Sequence, residues 1–268
     1  MAVDFTYKSS ALSLSAQRIP FNNMAKCHKH NEYELYFLAE GERYLFAGDR
    51  FYTARAGDAF LIPPGVEHRT LDSGGGEYFR IAINIPAPSM PCGLSIDDGV
   101  YFVRPSARAM SRLYSEAEEI YAASRLVGAE QSALIFGAVM KMLAALLGEP
   151  RQYEEVTVAS PTLGRIAQIL KYMEENYSKP ITLSLLSERF FISEFYLCRL
   201  FKEYTGRTIL EYLTDLRIRA ARKMLRDSDA QIGTIAKKCG FGSSSSFGSA
   251  FRRAEGVSAR EYKRRGTK

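Results

Sequence analysis

Short apolar runs separated by turn residues fill the first third of the chain. Between residues 33 and 85 their lengths and spacing are typical of strands and show no helical period. Glycine-rich and proline-rich turns, such as Pro63-Pro64-Gly65, interrupt them. The runs are residues 34–38, 43–47, 51–54, 59–62 and 78–85. Regular short strands with no helix between them predict an antiparallel β-barrel or a double-sheet roll.

A helical period replaces this pattern after residue 105. Residues 108–123 are amphipathic, whereas residues 129–147 are apolar on nearly every side and need a partner surface. The apolar stretch 133–147 is too short for a membrane span and contains Lys141, so we expect a buried helix. Its partner is either the preceding helix with the barrel, or a second subunit.

The last hundred residues contain an internal repeat with an offset of 50 positions. Each copy predicts two short helices that meet at a turn, with a serine capping the start of the second helix and a glycine at its end. The capping pairs are Ser193 with Ser243 and Gly206 with Gly256. A continuous helical pattern over residues 209–226 connects the two copies.

The second helix of each copy has one stripe that is free to meet a partner. In the first copy the buried stripe is apolar, and the opposite stripe consists of Phe195, Tyr196, Cys198, Arg199 and Lys202. The connecting helix would hold the two free stripes at a fixed separation, and a DNA duplex presents successive major grooves roughly 34 Å apart. The alternative is a helical bundle with a solvated basic face.

Charge favours the DNA interpretation. The 268 residues are 46% hydrophobic and 25% charged, which is typical of a folded protein with two domains. From Ser160 onward 21 Lys and Arg oppose 11 Asp and Glu, a net charge of +10, whereas the preceding part has 15 against 19, a net charge of −4. A basic half beside an acidic half predicts that one domain binds nucleic acid and the other has a different task.

The cysteines and the N-terminus exclude several classes of protein. Cys27, Cys92, Cys198 and Cys239 lack the paired spacing of a zinc finger or a disulfide framework, so we expect reduced thiols. The first 15 residues lack the pattern of a signal peptide. We therefore expect a cytoplasmic protein with no membrane partner.

The C-terminal repeat resembles the DNA-binding region of the AraC family of bacterial transcription regulators. The run from Ser193 to Lys202, with Gly206, Tyr212 and Arg217, and the corresponding positions of the second copy carry this resemblance over residues 163–265. The resemblance implies two helix-turn-helix units, with bases contacted by the first and second recognition helices. By this resemblance the base-contacting residues are Phe195, Cys198 and Arg199 in the first helix and Ser244, Ser245 and Ser249 in the second. With the caps and the rest of the open stripe, the predicted DNA-binding residues are Ser193, Phe195, Tyr196, Cys198, Arg199, Lys202, Ser243, Ser244, Ser245 and Ser249.

Three positions depart from the family pattern: Ser249 replaces an arginine, Ala259 a proline and Ser187 an alanine. Arginine makes a bidentate contact to guanine, whereas serine makes a single ambiguous one. We therefore expect the second helix-turn-helix unit to position the protein through contacts to DNA phosphates more than to read the base sequence.

All three histidines of the chain lie in the predicted barrel. His28, His30 and Glu34 share one parity and project to one face of an extended segment, and His68 follows the Pro63-Pro64-Gly65 turn. This pattern resembles the two motifs of the cupin barrel, from which Asn22 and Asp72 depart. In metal-binding cupins such residues hold manganese, iron, nickel or zinc.

Three roles remain open for these histidines. The first is an effector pocket without a metal, in which the candidate residues are His28, His30, Glu34, Tyr36, Phe46 and His68. The second is a metal site formed by His28, His30, Glu34 and His68, and the third is purely structural hydrogen bonding inside the barrel mouth.

The resulting prediction is an α+β multidomain protein, with an N-terminal antiparallel β-barrel of cupin type and a C-terminal all-α double helix-turn-helix. The domains are residues 1–105 (barrel), 106–148 (connector and dimerisation helices), 149–162 (linker) and 163–268 (DNA binding). We expect a sequence-specific transcription regulator controlled by a small-molecule effector, and not an enzyme. The alternatives are a metal-sensing regulator and a metal-dependent cupin enzyme. Expected partners are double-stranded DNA, an effector such as a sugar, a second copy of the chain and RNA polymerase.

Overall fold

The computed structural model describes residues 4–20, 26–74, 76–91, 99–152 and 161–266. The chain forms two compact units, residues 1–160 and 161–268. Most of the predicted linker, residues 153–160, lies outside the described residues, as does Cys92.

Two antiparallel sheets form the first unit. The six-stranded sheet has the order β1-β2-β8-β3-β6-β9, and the three-stranded sheet has the order β5-β4-β7. The strands are β1 (Phe5–Lys8), β2 (Ser13–Ile19), β3 (Glu32–Glu40), β4 (Glu42–Ala47), β5 (Arg50–Arg55), β6 (Ala59–Ile62), β7 (His68–Asp72), β8 (Tyr78–Pro86) and β9 (Tyr101–Val103). A short 3-10 turn, Ala87–Ser89, follows β8. The antiparallel fold is confirmed, as two facing sheets that, within the residues given above, do not close into a continuous barrel.

Both faces of the large sheet are covered, because alternate residues of its strands pack into different clusters. Along β3, Leu35 and Phe37 pack in the cluster that contains the helices. Tyr36 and Leu38 pack in the cluster between the two sheets, together with Leu45 from β4. This alternation follows from the twofold side-chain period of a strand. The space between the sheets therefore receives the even-numbered side chains of β3 up to Leu38, after which the register shifts.

Helices α1 (Ala107–Ala123) and α2 (Gly128–Leu147) cover the outer face of the large sheet. Ser106 caps α1, because its side chain accepts a hydrogen bond from the backbone N–H of Ala109. By length and composition α2 could span a membrane, with a mean hydropathy of 1.4. Its Ile135, Val139 and Met142 are buried in the core of the first unit, as the sequence predicts for a core helix.

Seven helices form the described part of the second unit. They are α3 (Pro161–Asn176), α4 (Leu183–Phe190), α5 (Glu194–Thr205), α6 (Ile209–Asp227), α7 (Ile232–Lys238), α8 (Ser244–Glu255) and α9 (Ala259–Gly266). Helices α5 and α8 begin and end 50 positions apart, as do their serine N-caps and glycine C-caps. The predicted repeat is therefore a repeat of structure.

Candidate DNA interface and effector pocket

Helix α5 is the second helix of the first helix-turn-helix unit. The hydroxyl of Ser193 accepts a hydrogen bond of 3.3 Å from the backbone N–H of Tyr196, which fixes where the helix begins. Three apolar side chains on one stripe, Leu197, Leu200 and Phe201, are buried. The opposite stripe is open: Phe195 is 81% exposed, and Cys198, Arg199 and Lys202 are also exposed, while Tyr196 is half-buried.

Helix α8 repeats this arrangement with different surface chemistry. The Ser243 hydroxyl accepts from the backbone N–H of Ser246 at 3.1 Å, and Phe247 and Phe251 are buried. Three exposed serines lie at its outer stripe, namely Ser244, Ser245 and Ser249. Arg252 and Arg253 in its last turn are exposed as well, and the sequence analysis did not select them. Their alignment with Lys202 in the repeat was a signal that could have identified Arg252.

Helix α6 connects the two helix-turn-helix units and makes contacts with both of them. The ring of Phe201 in α5 packs edge-on against Tyr212 at 5.4 Å, and Ile218 and Leu225 are buried with α7 and α8. Arg217 donates from Nε to the carbonyl of Tyr177 at 2.8 Å and from Nη2 to the carbonyl of Lys179 at 3.0 Å. These contacts attach the middle of α6 to the segment between α3 and α4.

Gly240 lies in the turn between α7 and α8 and allows this turn to contact the segment between α3 and α4. Its φ is +83°, and a Cβ at this position would lie 2.7 Å from the carbonyl oxygen of Ser178 and 2.8 Å from that of Tyr177. Any other residue would clash with rigid backbone there. The turn between α7 and α8 therefore packs against the segment between α3 and α4 at a contact that only glycine permits.

In the first unit of the chain, the structure brings His28, His30, Glu34 and His68 together. One ligand atom from each lies within 4.8 Å of all the others. A two-residue bridge positions His28, because its backbone N–H donates to the His68 carbonyl at 3.1 Å and its carbonyl accepts from the His68 N–H at 2.9 Å. Glu34 lies on β3 and is buried, as is His68 at the start of β7.

The hydrogen bonds of His30 and His68 determine which ring nitrogen carries a proton. Nδ1 of His30 donates to the carbonyl of Glu32 at 3.0 Å, and Nδ1 of His68 donates to the carbonyl of Val66 at 2.9 Å. A carbonyl only accepts, so in a neutral ring Nε2 has a bare lone pair. Both Nε2 atoms nevertheless face one oxygen of Glu34, at 2.9 Å and 3.1 Å. The cluster therefore needs positive charge at this point, from protons on the rings or from a cation.

The pKa values agree with this need for positive charge. The hydrogen bond with Glu34 raises the pKa of His30 above its ordinary value. Burial alone would raise the pKa of Glu34, but the hydrogen bonds with His30 and His68 hold it well below its ordinary range. Burial lowers the pKa of His28, and the neighbouring His68 lowers it further. His28 is thus the imidazole of the cluster that burial favours in its neutral form.

The two aromatic candidates for the pocket lie in different places. Tyr36 is buried beside Phe60 between the sheets, and its hydroxyl has no hydrogen-bond partner in the described part of the chain. Phe46 packs on Phe51 at 5.0 Å between ring centroids. On β4 it alternates with Leu45 and Ala47, which face the space between the sheets. The structure therefore does not bring Phe46 together with Tyr36 and the histidines.

Two protein families match the two units. The model of the AraC-like ligand binding domain matches residues 11–138, and the model of a helix-turn-helix domain matches residues 186–265. This combination defines a class of DNA-binding proteins that carry a ligand-binding domain. The chain belongs to the AraC family of transcription regulators. It is a DNA-binding transcription regulator controlled by an effector.

Curated relatives span the whole chain. The HTH-type transcriptional activator RhaS of Yersinia pestis bv. Antiqua (strain Angola) is 28% identical over 273 residues, covering 98% of this chain and 97% of its own. An AraC-type transcriptional regulator from Chromobacterium violaceum is 27% identical, with a TM-score of 0.38 over 40% of this chain and 96% of its own. ToxT from Vibrio cholerae strain SCE256, solved with a bound unsaturated fatty acid, is 13% identical, with a TM-score of 0.37 over 96% of each chain.

Proposed function

We propose that a small molecule bound between the sheets of the first unit changes the affinity of the second unit for a specific DNA sequence. The observation that carries this proposal is the pair of recognition helices, α5 and α8, with matching caps and exposed outer stripes. Coupling requires that the ligand bind one state of the protein better than the other. The expected result is a DNA affinity that changes at saturating ligand, and an unchanged affinity dismisses that ligand as the effector.

Within this proposal, the two helices have different tasks. Helix α5 presents the guanidinium of Arg199 near the ring of Tyr196, at 5.5 Å, with Phe195 and Cys198 exposed beside it. A guanidinium suits a bidentate contact to guanine, and an exposed aromatic ring suits a thymine methyl group. The serines at the start of α8, namely the N-cap Ser243 with Ser244 and Ser245, suit phosphate contacts near the positive end of a helix, and Ser249 lies just over one turn further along. Specificity would therefore reside mainly in α5.

The test of this division is the variant Arg199→Ala. It should weaken binding to a selected site by about 1–3 kcal/mol and flatten the base preference at one position. The control is Arg165→Ala, which removes an exposed arginine from α3, outside both recognition helices. An equal loss on selected and random DNA would refute the reading role of Arg199. The selected site comes from a random DNA pool enriched with the full chain.

We also propose cytoplasmic action as a homodimer, with RNA polymerase as a partner during activation. The relatives named as transcriptional activators support the last point. The apolar surface that α2 leaves exposed, including Leu134, supports the dimer. An enzymatic role is not proposed, because the family consists of transcription regulators.

A metal-sensing regulator is the second candidate function. The convergence of the Nε2 atoms of His30 and His68 on one carboxylate oxygen favours it, because a divalent cation, in place of ring protons, would supply the positive charge that the cluster needs. Three imidazoles and one carboxylate suit manganese, iron, nickel or zinc. The carbonyls of Glu32 and Val66 would orient His30 and His68 as outer-shell partners. The metal would then act as the effector.

Metal analysis of untagged protein tests this second candidate. After chelation and reloading with manganese, iron(II), nickel or zinc, one ion per chain should remain, and His28→Ala, His68→Ala and Glu34→Gln should lose it. The control is Glu32→Gln, which removes a more exposed carboxylate on the same strand. A wild-type protein that retains none of these ions ends the metal hypothesis. DNA binding with and without the ion then reports whether the metal is sensed.

A further inference from the structure

A row of half-buried polar side chains lies on one face of the neighbouring strands β2 and β8. Along β8 they alternate with the buried residues Ile81, Ile83 and Ile85, which pack toward the helices. The register pairs Ser13 with Asn84 and Gln17 with Arg80, and it places Ser15 beside Ala82. Directly paired residues of antiparallel strands point to the same face of a sheet. The row therefore consists of Ser13, Ser15, Gln17, Arg80 and Asn84.

This row faces the space between the two sheets. On its other side β8 pairs with β3, where Ala82 lies opposite Tyr36 and Arg80 lies opposite Leu38. Tyr36 and Leu38 both belong to the cluster between the sheets. Arg80 also interacts electrostatically with Tyr36 and with His28, and in each case its positive charge lowers the pKa of the other group. Arg80 is therefore a cation of the interior that lies near both Tyr36 and the histidine cluster.

Arg80 differs from Arg43 and Arg18 in having no counter-ion among the described residues. Arg43 is fully buried and forms an ion pair of 3.0 Å with Asp72. Arg18, on the opposite face of β2, pairs with Glu40 at 2.7 Å. Within the described part of the chain, the guanidinium of Arg80 forms neither a hydrogen bond nor an ion pair. Glu34, the carboxylate of the same interior face, already interacts with two histidines.

The polar side chains near Arg80 also lack hydrogen-bond partners among the described residues. The hydroxyl of Tyr36 is shielded from solvent and has no hydrogen-bond partner in the described structure. Leaving a buried hydroxyl unpaired is unfavourable, so this group favours a polar partner beside it. The side chains of Ser15, Gln17 and Asn84 form no hydrogen bonds with other described residues either. These residues supply neutral donors and acceptors around one guanidinium.

We propose that the effector is a small hydroxylated anion whose carboxylate or phosphate binds Arg80, while its hydroxyl groups bind Tyr36, Ser15, Gln17 and Asn84. A planar guanidinium matches a carboxylate or phosphate with two parallel hydrogen bonds. The inference deepens the proposed function and rests on it, because it assumes that the first unit binds the effector. It makes the charge of the ligand the main determinant of specificity.

The test compares neutral and anionic forms of one compound on the full chain. Galactose, galacturonate, galactose 6-phosphate and inorganic phosphate are titrated while the melting temperature and the heat of binding are measured. At least one anion should bind the wild-type protein more tightly than galactose does. Arg80→Gln should weaken that binding at least about tenfold, since it removes a charge-assisted contact. Selectivity between galacturonate and galactose 6-phosphate identifies which oxyanion the site takes.

Two further variants separate binding from folding. Arg80→Lys keeps the positive charge and should keep the preference for anions at reduced affinity. Arg18→Gln removes a paired arginine from the opposite face of β2 and should leave binding unchanged. If no anion stabilises the wild-type protein more than it stabilises Arg80→Gln, the proposal is overturned. It is also overturned if galactose binds and changes DNA affinity independently of Arg80, a result that would preserve the proposed function.

Discussion

At the scale of single residues, Phe191 combines a left-handed backbone conformation with an exposed aromatic side chain. Among the described non-glycine residues it alone has a positive φ, of 53°, and its ring is 92% exposed. The left-handed conformation costs an L-residue about 1–2 kcal/mol, whereas glycine adopts it freely. Because the exposed ring contributes almost no burial, Phe191→Gly should raise the free energy of unfolding of the second unit by about 1 kcal/mol.

Urea unfolding of the full chain, followed by its helical circular dichroism, measures this effect. Phe191→Ala is the matched control, because alanine removes the same ring but keeps the left-handed strain. If both variants change the stability equally, the backbone of Phe191 is not the cause. A fall in DNA affinity for Phe191→Gly alone would show that the strained turn also contributes to binding.

At the scale of elements, a capping box begins the helix that connects the two helix-turn-helix units. The Thr208 hydroxyl accepts from the backbone N–H of Glu211, and the Glu211 carboxylate accepts from the backbone N–H of Thr208 at 2.8 Å. That backbone bond and the Thr208 hydroxyl hold the pKa of Glu211 below its ordinary value. A carboxyl whose pKa is lower in the folded state stabilises the fold above its unfolded pKa, and this stabilisation is lost as the pH falls.

Glu211→Gln should therefore destabilise the second unit at pH 7 by about 0.5–1 kcal/mol, the usual range for a cap. The difference from wild type should shrink as the pH falls below about 4.3, where an unperturbed glutamate is protonated. Thermal unfolding between pH 7 and pH 3 measures both effects. Glu175→Gln on α3 is the control, because this exposed carboxylate makes no hydrogen bond with other described residues and should have little effect at either pH.

At the scale of the whole molecule, the surface of α2 leads to a prediction about oligomeric state. Leu134 is 41% exposed on this helix, and a Cβ added at Gly137, one turn further on, would meet nothing within 4 Å. Apolar and small residues on one helix face suit close packing against a second copy. We expect sedimentation to give twice the chain mass of 30.1 kDa, and Leu134→Glu to reduce it to the mass of one chain.

Leu210→Glu is the matched control for this prediction, because Leu210 is a leucine of the second unit that is 72% exposed. It should leave the sedimenting mass unchanged. A wild-type protein that sediments as a single chain at micromolar concentration would contradict the homodimer.

Some elements were predictable because their signal is local. The repeat could be recognised from its helix caps and its buried apolar stripes, and α5, α6 and α8 begin within one residue of the predicted positions. Strands β1, β2, β7 and β9 were not predicted. β7 shows why: Arg69 and Thr70 are buried there, so the strand lacks the apolar alternation on which recognition depends. The domain boundaries and the functional roles of the site residues remain predictions.

The sequence by itself determined the class of fold and the duplicated helix-turn-helix, and it supplied the prediction of which residues contact DNA. These depend on periodicity, capping and charge, which operate between neighbours in the chain. Only the tertiary structure decided what shares the interior of the first unit. It joined His28 and Glu34 to a histidine more than thirty positions away, turned Phe46 away from Tyr36, and placed Arg80 on an inner face. Alternation distinguishes the two faces of a strand, but which face encloses a binding site depends on strand pairing and on the helices that cover the other side.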